Sequence, residues 1–410
     1  MKILFLCTTE FQLLTALNMK YHMYTEDVAD IIVDNYHGEE AALAERIRKT
    51  NLFRRVCYVN SQYEKKTLHA YLRGISDGQK SVSLLEALAN SFKFAESRIK
   101  KIISLEKGSL SVLVHGFDTL HIEEYDEFFA YGSRPITRNL SAYIRNVNKK
   151  CKIVQIDEGI GSYWVKNVGG CSSIDACALY NPEVRTIRTP AIKIPKLSRK
   201  DESFLKIINF VFEYSEDKRQ EVYKNGVIFF DQGVTNPLPK YLQNASALKK
   251  IIFHNAYCKH RREENDFNKR TQTTLRLLKT TLDVLGDRQI WIKPHPRSAS
   301  EALKIFSVFG NRVSIMQHQN VPWEVIALNS VVENNVFLTC NSSSVYMYPS
   351  VIDDITNVNK SILLYLVYGF HAGQAFNNYM TNLKRVFFDV FLLPEDENEY
   401  KKIIERVSIA

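Results

Sequence analysis

Short apolar runs alternate along the chain with longer segments whose apolar positions recur at steps of three and four. Runs of the first kind predict buried strands, and patterns of the second kind predict one face of a helix. Lys2 to Cys7 reads as a strand and Phe11 to Met23 as the helix after it. Asp30 to Asp34 is another short apolar run, Glu39 to Lys49 a helix, and Arg55 to Val59 a third strand. Leu85, Leu88, Phe92, Ala95, Ile99 and Ile102 mark one face of a long amphipathic helix that Gly108 ends. Leu110 to Val114 and Cys151 to Ile156 are further strands, separated by a polar, aromatic insertion (Tyr125, Phe128, Phe129, Tyr131) and a helix near Asn139 to Val147. Strands alternating with helices argue for parallel βαβ units.

A proline-punctuated passage, Thr189 to Pro195 followed by Ser198-Arg199-Lys200, lacks periodicity and reads as the approach to a linker, with a bridging helix over Glu202 to Tyr214. The alternation then resumes. Strand Gly226 to Phe230 runs into Asp231-Gln232-Gly233, and strand Lys250 to Phe253 precedes a helix over Asn265 to Leu285 that Gly286 stops. Strand Gln289 to Lys293 enters Pro294-His295-Pro296, and after a helix near Ser300 to Val308 come strands Arg312 to Met316 and Val336 to Cys340. Acidic residues after Pro394, with Lys401, Lys402 and Arg406 further on, match the dipole of a closing helix. The economical architecture is α/β, with two domains facing a cleft: residues 1–200, a linker helix in 201–225, and 226–410.

Composition narrows the picture. A chain of 410 residues has room for two or three domains, each with its own core. The seven cysteines are scattered without a CxxC pair, which suits a reducing cytoplasm. The apolar stretch Ile3 to Cys7 is too short for a signal peptide, and Ile362 to Tyr368 falls short of the ~20 residues of a spanning helix. Net charge is +9, but the basic residues are dispersed and form no stripe interleaved with aromatics, which excludes a nucleic-acid binder. The charge remains compatible with peripheral contact on an anionic membrane. His254, Cys258 and His260 have ligand-type side chains without a second pair at zinc spacing, so they read as a loop leaving a strand. His115 sits at a strand end, either lining a cleft or serving structure; the aromatic insertion reads as local core.

Three constellations carry candidate chemistry, each placed where a strand should emerge at the ligand-binding edge of an open sheet. In KIVQIDEGIGSY, Asp157 is a candidate base followed by Glu158, Gly159 and Gly161; capping of the turn is the simpler role for both acids. In Lys293-Pro294-His295-Pro296-Arg297, flanking prolines restrict the backbone so that the imidazole can serve a leaving phosphate; a solvent-facing turn is the simpler role. In Asn341-Ser342-Ser343-Ser344, hydroxyls and free N–H groups at a helix start form a phosphate cradle, whereas N-capping needs only one serine.

The ordered series QIDEGIGSY, WIKPHPRS, VPWE and LTCNSSSVY, with the opening Cys7 to Leu14, resembles the bacterial sialyltransferases of the lipooligosaccharide and polysialic acid types. That resemblance implies a GT-B fold of two Rossmann-like domains and an inverting, metal-independent transfer of sialic acid from CMP-sialic acid to a hydroxyl of a galactoside or terminal sialic acid on a bacterial surface glycan. It implies Asp157 as general base and His295 at the departing phosphate. Ser342, Ser343 and Ser344 contain the family's serine pair, with the matching two left open. Glu324 is implied at the cytidine ribose, and Gln232, Gly233 and Pro296 at the donor. No cofactor is implied beyond the CMP-sugar donor, and no divalent metal, in keeping with the lack of an Asp-x-Asp tripeptide. A homodimer is a family-level expectation, as is a cytoplasmic location at the inner face of the membrane. A transferase of another CMP-activated acidic sugar of the Kdo kind, or a silent glycan-assembly subunit of the same fold, are the alternatives.

Overall fold

A computed structural model describes residues 1–34, 39–59, 110, 114–169, 174–214, 222–232, 254–296, 298, 303–353, 359–370 and 373–409. The chain divides into two units, Met1–Ser215 and Glu216–Ala410. The predicted helix over 85–102 and strand Lys250 to Phe253 lie outside the described residues, as do Gly233 and Arg297.

The first unit runs β1 (Lys2–Cys7), α1 (Glu10–His22), β2 (Val28–Val33), α2 (Glu40–Lys49), β3 (Arg55–Val59), β4 (Val114–His115), β5 (Glu127–Ala130), α3 (Pro135–Val147), β6 (Lys152–Ile156), β7 (Ala176–Leu179), β8 (Ala191–Lys193) and α4 (Glu202–Val211). Among the described residues these strands form an eight-stranded sheet in the order β4-β3-β2-β1-β5-β6-β7-β8, parallel except for the β3–β4 edge pair. Its central strands are apolar on both faces, as a parallel sheet covered by helices requires. Phe5 of β1 stacks on Phe129 of β5 at 4.9 Å and meets Phe53 edge-on at 6.0 Å.

The second unit runs β9 (Val222–Lys224), β10 (Val227–Phe230), α5 (His254–Leu285), β11 (Ile290–Lys293), β12 (Val313–Ile315), α6 (Trp323–Asn329), β13 (Val331–Glu333), β14 (Val336–Thr339), α7 (Ser343–Val351), β15 (Lys360–Leu363), α8 (Gln374–Val386), β16 (Phe391–Leu392) and α9 (Glu397–Ile409). Its main sheet is wholly parallel in the order β12-β11-β10-β14-β15-β16, and β9 pairs with β13 separately. Leu277, Leu278, Leu282 and Leu285 of α5 cover one face with Ile404 of α9. Each unit is therefore Rossmann-like: β1 and β10 are central in their main sheets, and the order reverses beside each. Two such units in tandem are what the GT-B expectation requires of the chain.

Several expectations change. The aromatic insertion is β5, a central strand only four residues long: Phe128 and Phe129 are fully buried, and Tyr125 nearly so. The unperiodic passage at Thr189 to Pro195 contains β8, an edge strand of the first sheet. The predicted bridging helix is α4, and it belongs to the first unit: its N-cap Asp201 bonds His22 Nε2 at 2.8 Å, and Arg46 donates to the Val211 carbonyl at its end. His254, Cys258 and His260 lie in α5, where a loop was expected. Of the predicted strand at Leu110 to Val114, residues 111–113 lie outside the described residues; Val114 belongs to the antiparallel β4, in which exposed His115 stacks on Tyr58 at 4.6 Å. Among the described residues no helix is long and apolar enough to cross a membrane, and no cluster of three metal-ligating side chains is found.

Asp30, wholly buried in β2, accepts from Arg54 Nη2 at 2.5 Å, Arg54 Nε at 3.1 Å and the Tyr125 hydroxyl at 2.6 Å. Asp30→Ala leaves a guanidinium and a phenol without their acceptor. Because Arg54 is one-third exposed, the expected loss of stability lies at the low end for a broken buried pair, about 3 kcal/mol, read by urea unfolding.

Candidate functional site

Ligands of open α/β sheets gather at the carboxyl ends of the strands, where the strand order reverses. In the first unit that point lies between β1 and β5, with β6 next to it. Asp157 is the first residue beyond β6 and is completely buried. Its Oδ1 accepts from the Gly159 N–H at 2.9 Å; its Oδ2 accepts from the Tyr163 hydroxyl at 2.6 Å and the Tyr180 N–H at 3.1 Å. Burial pushes its carboxyl up to about 6, against the opposing pull of these bonds.

The turn around Asp157 is tied at several points. Buried Gln155 donates to the Ser162 and Val165 carbonyls and accepts from the Asn167 N–H, and Ser162 Oγ accepts from the Glu158 N–H at 2.9 Å. Gly159 takes a φ of 117°, which a side chain would strain. A Cβ on Gly161 would stand 2.5 Å from the Tyr131 hydroxyl, so a side chain there would displace that phenol. Glu158, by contrast, is half-exposed. In this conformation Asp157 organises the turn with its own bonds and has no surface of its own, while Glu158 is the acid that reaches solvent.

Sequence reasoning missed what lies across β1. Asp34 follows β2 and Arg134 precedes α3, and the two form an ion pair. Since β2 and β5 flank β1, the pair spans the carboxyl end of β1, beside Thr8 and Thr9. A pocket lined by Cys7, Thr9, Glu10, Leu13, Val33 and Asp34 lies there. One hundred residues separate the partners, so no local signal announced them.

In the second unit the strand order reverses between β10 and β14, with β11 on the other side of β10. Phe230 is in register with both Lys293 and Thr339, so the Asp231-Gln232, Pro294-His295-Pro296 and Cys340-to-Ser344 segments leave the sheet side by side. Gln232, His295 and Pro296 are half-buried. Ser342 holds the N-cap position of α7, yet its side chain makes no capping bond; its own N–H is satisfied by Thr339 Oγ1 at 2.7 Å. Among the described residues none of the Ser342, Ser343 and Ser344 hydroxyls has a hydrogen-bond partner, and all three serines are half-exposed. The capping role is therefore not the one they fill.

Lys293, at the end of β11, is buried, and its Nζ donates to the His318 and Gln319 carbonyls at 2.8 and 3.2 Å. Glu324 lies in the first turn of α6, only 2% exposed, on a helix that packs against α7. Its neighbour Trp323 fills the core between Phe230 and Tyr348. The structure thus gathers Gln232, His295, Pro296 and the three serines on one sheet edge, with Glu324 buried in the first turn of α6.

No family model and no curated protein matches the chain. Among solved structures it is similar to a UDP-GlcNAc 2-epimerase from Neisseria meningitidis bound to UDP-GlcNAc, with 12% identity and a TM-score of 0.41 over 100% of this chain and 98% of that one. It is also similar to MurG of Acinetobacter baumannii, with 7% identity and a TM-score of 0.36 over 99% of this chain and 90% of that one. Neither likeness assigns a role to a residue here.

The raised carboxyl of Asp157 has a consequence for stability. With its folded value near 6 against 3.8 when unfolded, protonation favours the folded state. Its contribution is fully present below about pH 4 and is lost as pH rises through about 6, a difference of ~3 kcal/mol. Asp157→Asn is expected to remove this component, so that the unfolding free energies of wild type and variant converge or diverge by that amount between pH 4 and 7. Parallel curves across that range would mean that Asp157 ionises normally.

Proposed function

We propose that the chain is an inverting, metal-independent glycosyltransferase that moves sialic acid from CMP-sialic acid to a hydroxyl of a bacterial surface glycan. The observation that carries this reading is the serine run. Three unspent hydroxyls open a helix at the point where the strand order of the second unit reverses, on the same sheet edge as His295, which emerges on the other side of β10. Helix N-termini favour anions, and a single phosphate needs few donors. The ordered motifs of the sequence supply the donor identity, CMP, and the sugar.

In the proposed reaction the acceptor oxygen attacks the anomeric carbon and the bond from that carbon to the phosphate oxygen breaks, with inversion. CMP departs with the bonding pair, stabilised by the serine hydroxyls, the first-turn N–H groups of α7 and His295. The acceptor proton passes to Asp157. A carboxylate raised to about 6 by burial suits a base working near neutral pH. Its use requires the Gly159 turn to uncover Oδ1, which accepts from the Gly159 N–H. Glu324 contributes the ribose contact in this scheme, and Gln232 and Pro296 border the nucleotide. A Kdo-type donor would meet the same phosphate groups, so the sugar is separated from the nucleotide by experiment.

Titration calorimetry with CMP, UDP and GDP in EDTA is the first test. Selective CMP binding is expected; preference for another nucleotide, or none bound, ends the reading. Turnover of CMP-sialic acid against CMP-Kdo then decides the sugar. Ser343→Ala and Ser344→Ala should each weaken CMP about tenfold if both hydroxyls meet the phosphate. Asp157→Asn should abolish transfer with CMP affinity kept, while Glu158→Gln stays active. The reverse pattern would make exposed Glu158 the base. With Asp157 as base, kcat/KM rises with pH through about 6.

A further inference from the structure

The loop that carries His295 is held by a side chain far from it in sequence. Gln319 Nε2 donates to the carbonyls of His295 at 2.8 Å, Pro296 at 3.2 Å and Ser298 at 2.7 Å. One carboxamide has two N–H bonds, so three carbonyls converging on it share them. The far side of the loop is tied as well. Ser298, itself buried, bonds Asp231 Oδ2 at 2.8 Å, and Asp231 N–H donates back to the Lys293 carbonyl at 3.0 Å. Gln319 is in turn held by Lys293, whose buried ammonium takes the His318 and Gln319 carbonyls.

The loop needs such a tie. Prolines at 294 and 296 fix φ at those residues and remove two backbone donors, and among the described residues the loop's own backbone tie is the Ser298 N–H, which donates to the His295 carbonyl at 2.9 Å. Pro296 confines ψ of His295 to the extended range, while ψ at Pro296 and beyond, the direction in which those carbonyls point, remains to be set. Gathering three carbonyls onto one amide sets those directions, and with them the direction in which the intervening imidazole leaves the backbone.

We propose that Gln319 is a positioning residue for His295: it touches no substrate and acts on the nucleotide by aiming the imidazole. This inference rests on the reading of His295 as the group that meets the donor phosphate.

A double-mutant cycle of His295→Ala and Gln319→Met tests it, with CMP affinity by calorimetry and turnover of CMP-sialic acid as readouts. His295→Ala keeps the backbone carbonyl that Gln319 binds, so the tie persists in that background. Gln319→Met keeps the length of the side chain and deletes its donors. The expected result is about a tenfold loss of CMP affinity from Gln319→Met in wild type and less than about a twofold loss in the His295→Ala background. Equal losses in both backgrounds would make Gln319 a purely structural residue and overturn the proposal, as would no loss in either. Should Gln319→Met not fold by circular dichroism, Gln319→Lys, which restores donors to the three carbonyls, carries the cycle. It should lie within about threefold of wild type; a loss as large as that of His295→Ala would refute the aiming role. If His295→Ala itself leaves CMP affinity and turnover unchanged, the reading of His295 fails and this inference with it. Failure of the Gln319 arm alone leaves that reading standing.

Discussion

The candidate site of the second unit depends on the parallel register of three strands. Phe230 pairs with Lys293 on one side and Thr339 on the other, so β11, β10 and β14 end at the same level. Neighbouring strands lie ~4.8 Å apart, which brings the three emerging segments to within ~10 Å before any loop conformation is considered. A slip of one residue would turn every side chain on that strand to the other face. Trp323 guards against it by packing edge-on against Phe230 at 5.2 Å and Phe337 at 6.0 Å, thereby locking β10 to β14 from one face.

The first unit faces a different constraint, because its candidate base is also the keystone of its own turn. Removing a carboxylate from water raises its proton affinity, and every hydrogen bond given to the anion lowers it again. At Asp157 burial wins, and the carboxyl stays near 6 despite a phenol and several backbone donors. The bonds on Oδ2 come from Tyr163 and Tyr180, which sit in packed structure, whereas Oδ1 is held by Gly159 two residues away. One oxygen is anchored and the other belongs to a glycine turn. A base of this construction keeps its orientation while one lone pair becomes available.

The sequence showed where strands end better than which strands exist. Asp157, His295 and Ser342 were each placed just past a strand, and the structure puts them there, because a strand-ending turn leaves a local trace in glycines, prolines and serines. Glu127-Phe128-Phe129-Ala130 left no such trace: four residues, opened by a carboxylate and flanked by aromatics, resemble a loop, although β5 is the strand on which the order of the first sheet turns. Edge strand β8 was lost among prolines that a central strand would not tolerate. Long-range pairs were beyond reach altogether. Nothing local to Asp34 points to Arg134, nor anything local to His295 to Gln319, since these partners are chosen by topology.

Among the described residues, three helices start where the strand orders reverse, and they differ in how their first N–H groups are treated. At α1, Thr9 accepts from the Gln12 N–H, and the Gln12 side chain accepts in turn from the Thr8 N–H, so the chain closes its own helix end. At α3, Pro135 deletes a donor and Arg134 at the N-cap is engaged with Asp34. At α7, three serines capable of capping do not cap. A capping side chain is worth ~1 kcal/mol, and a rotation about one bond would let Ser342 supply it. Leaving that stabilisation unused makes sense if the hydroxyls and N–H groups are held for an anion that satisfies several at once.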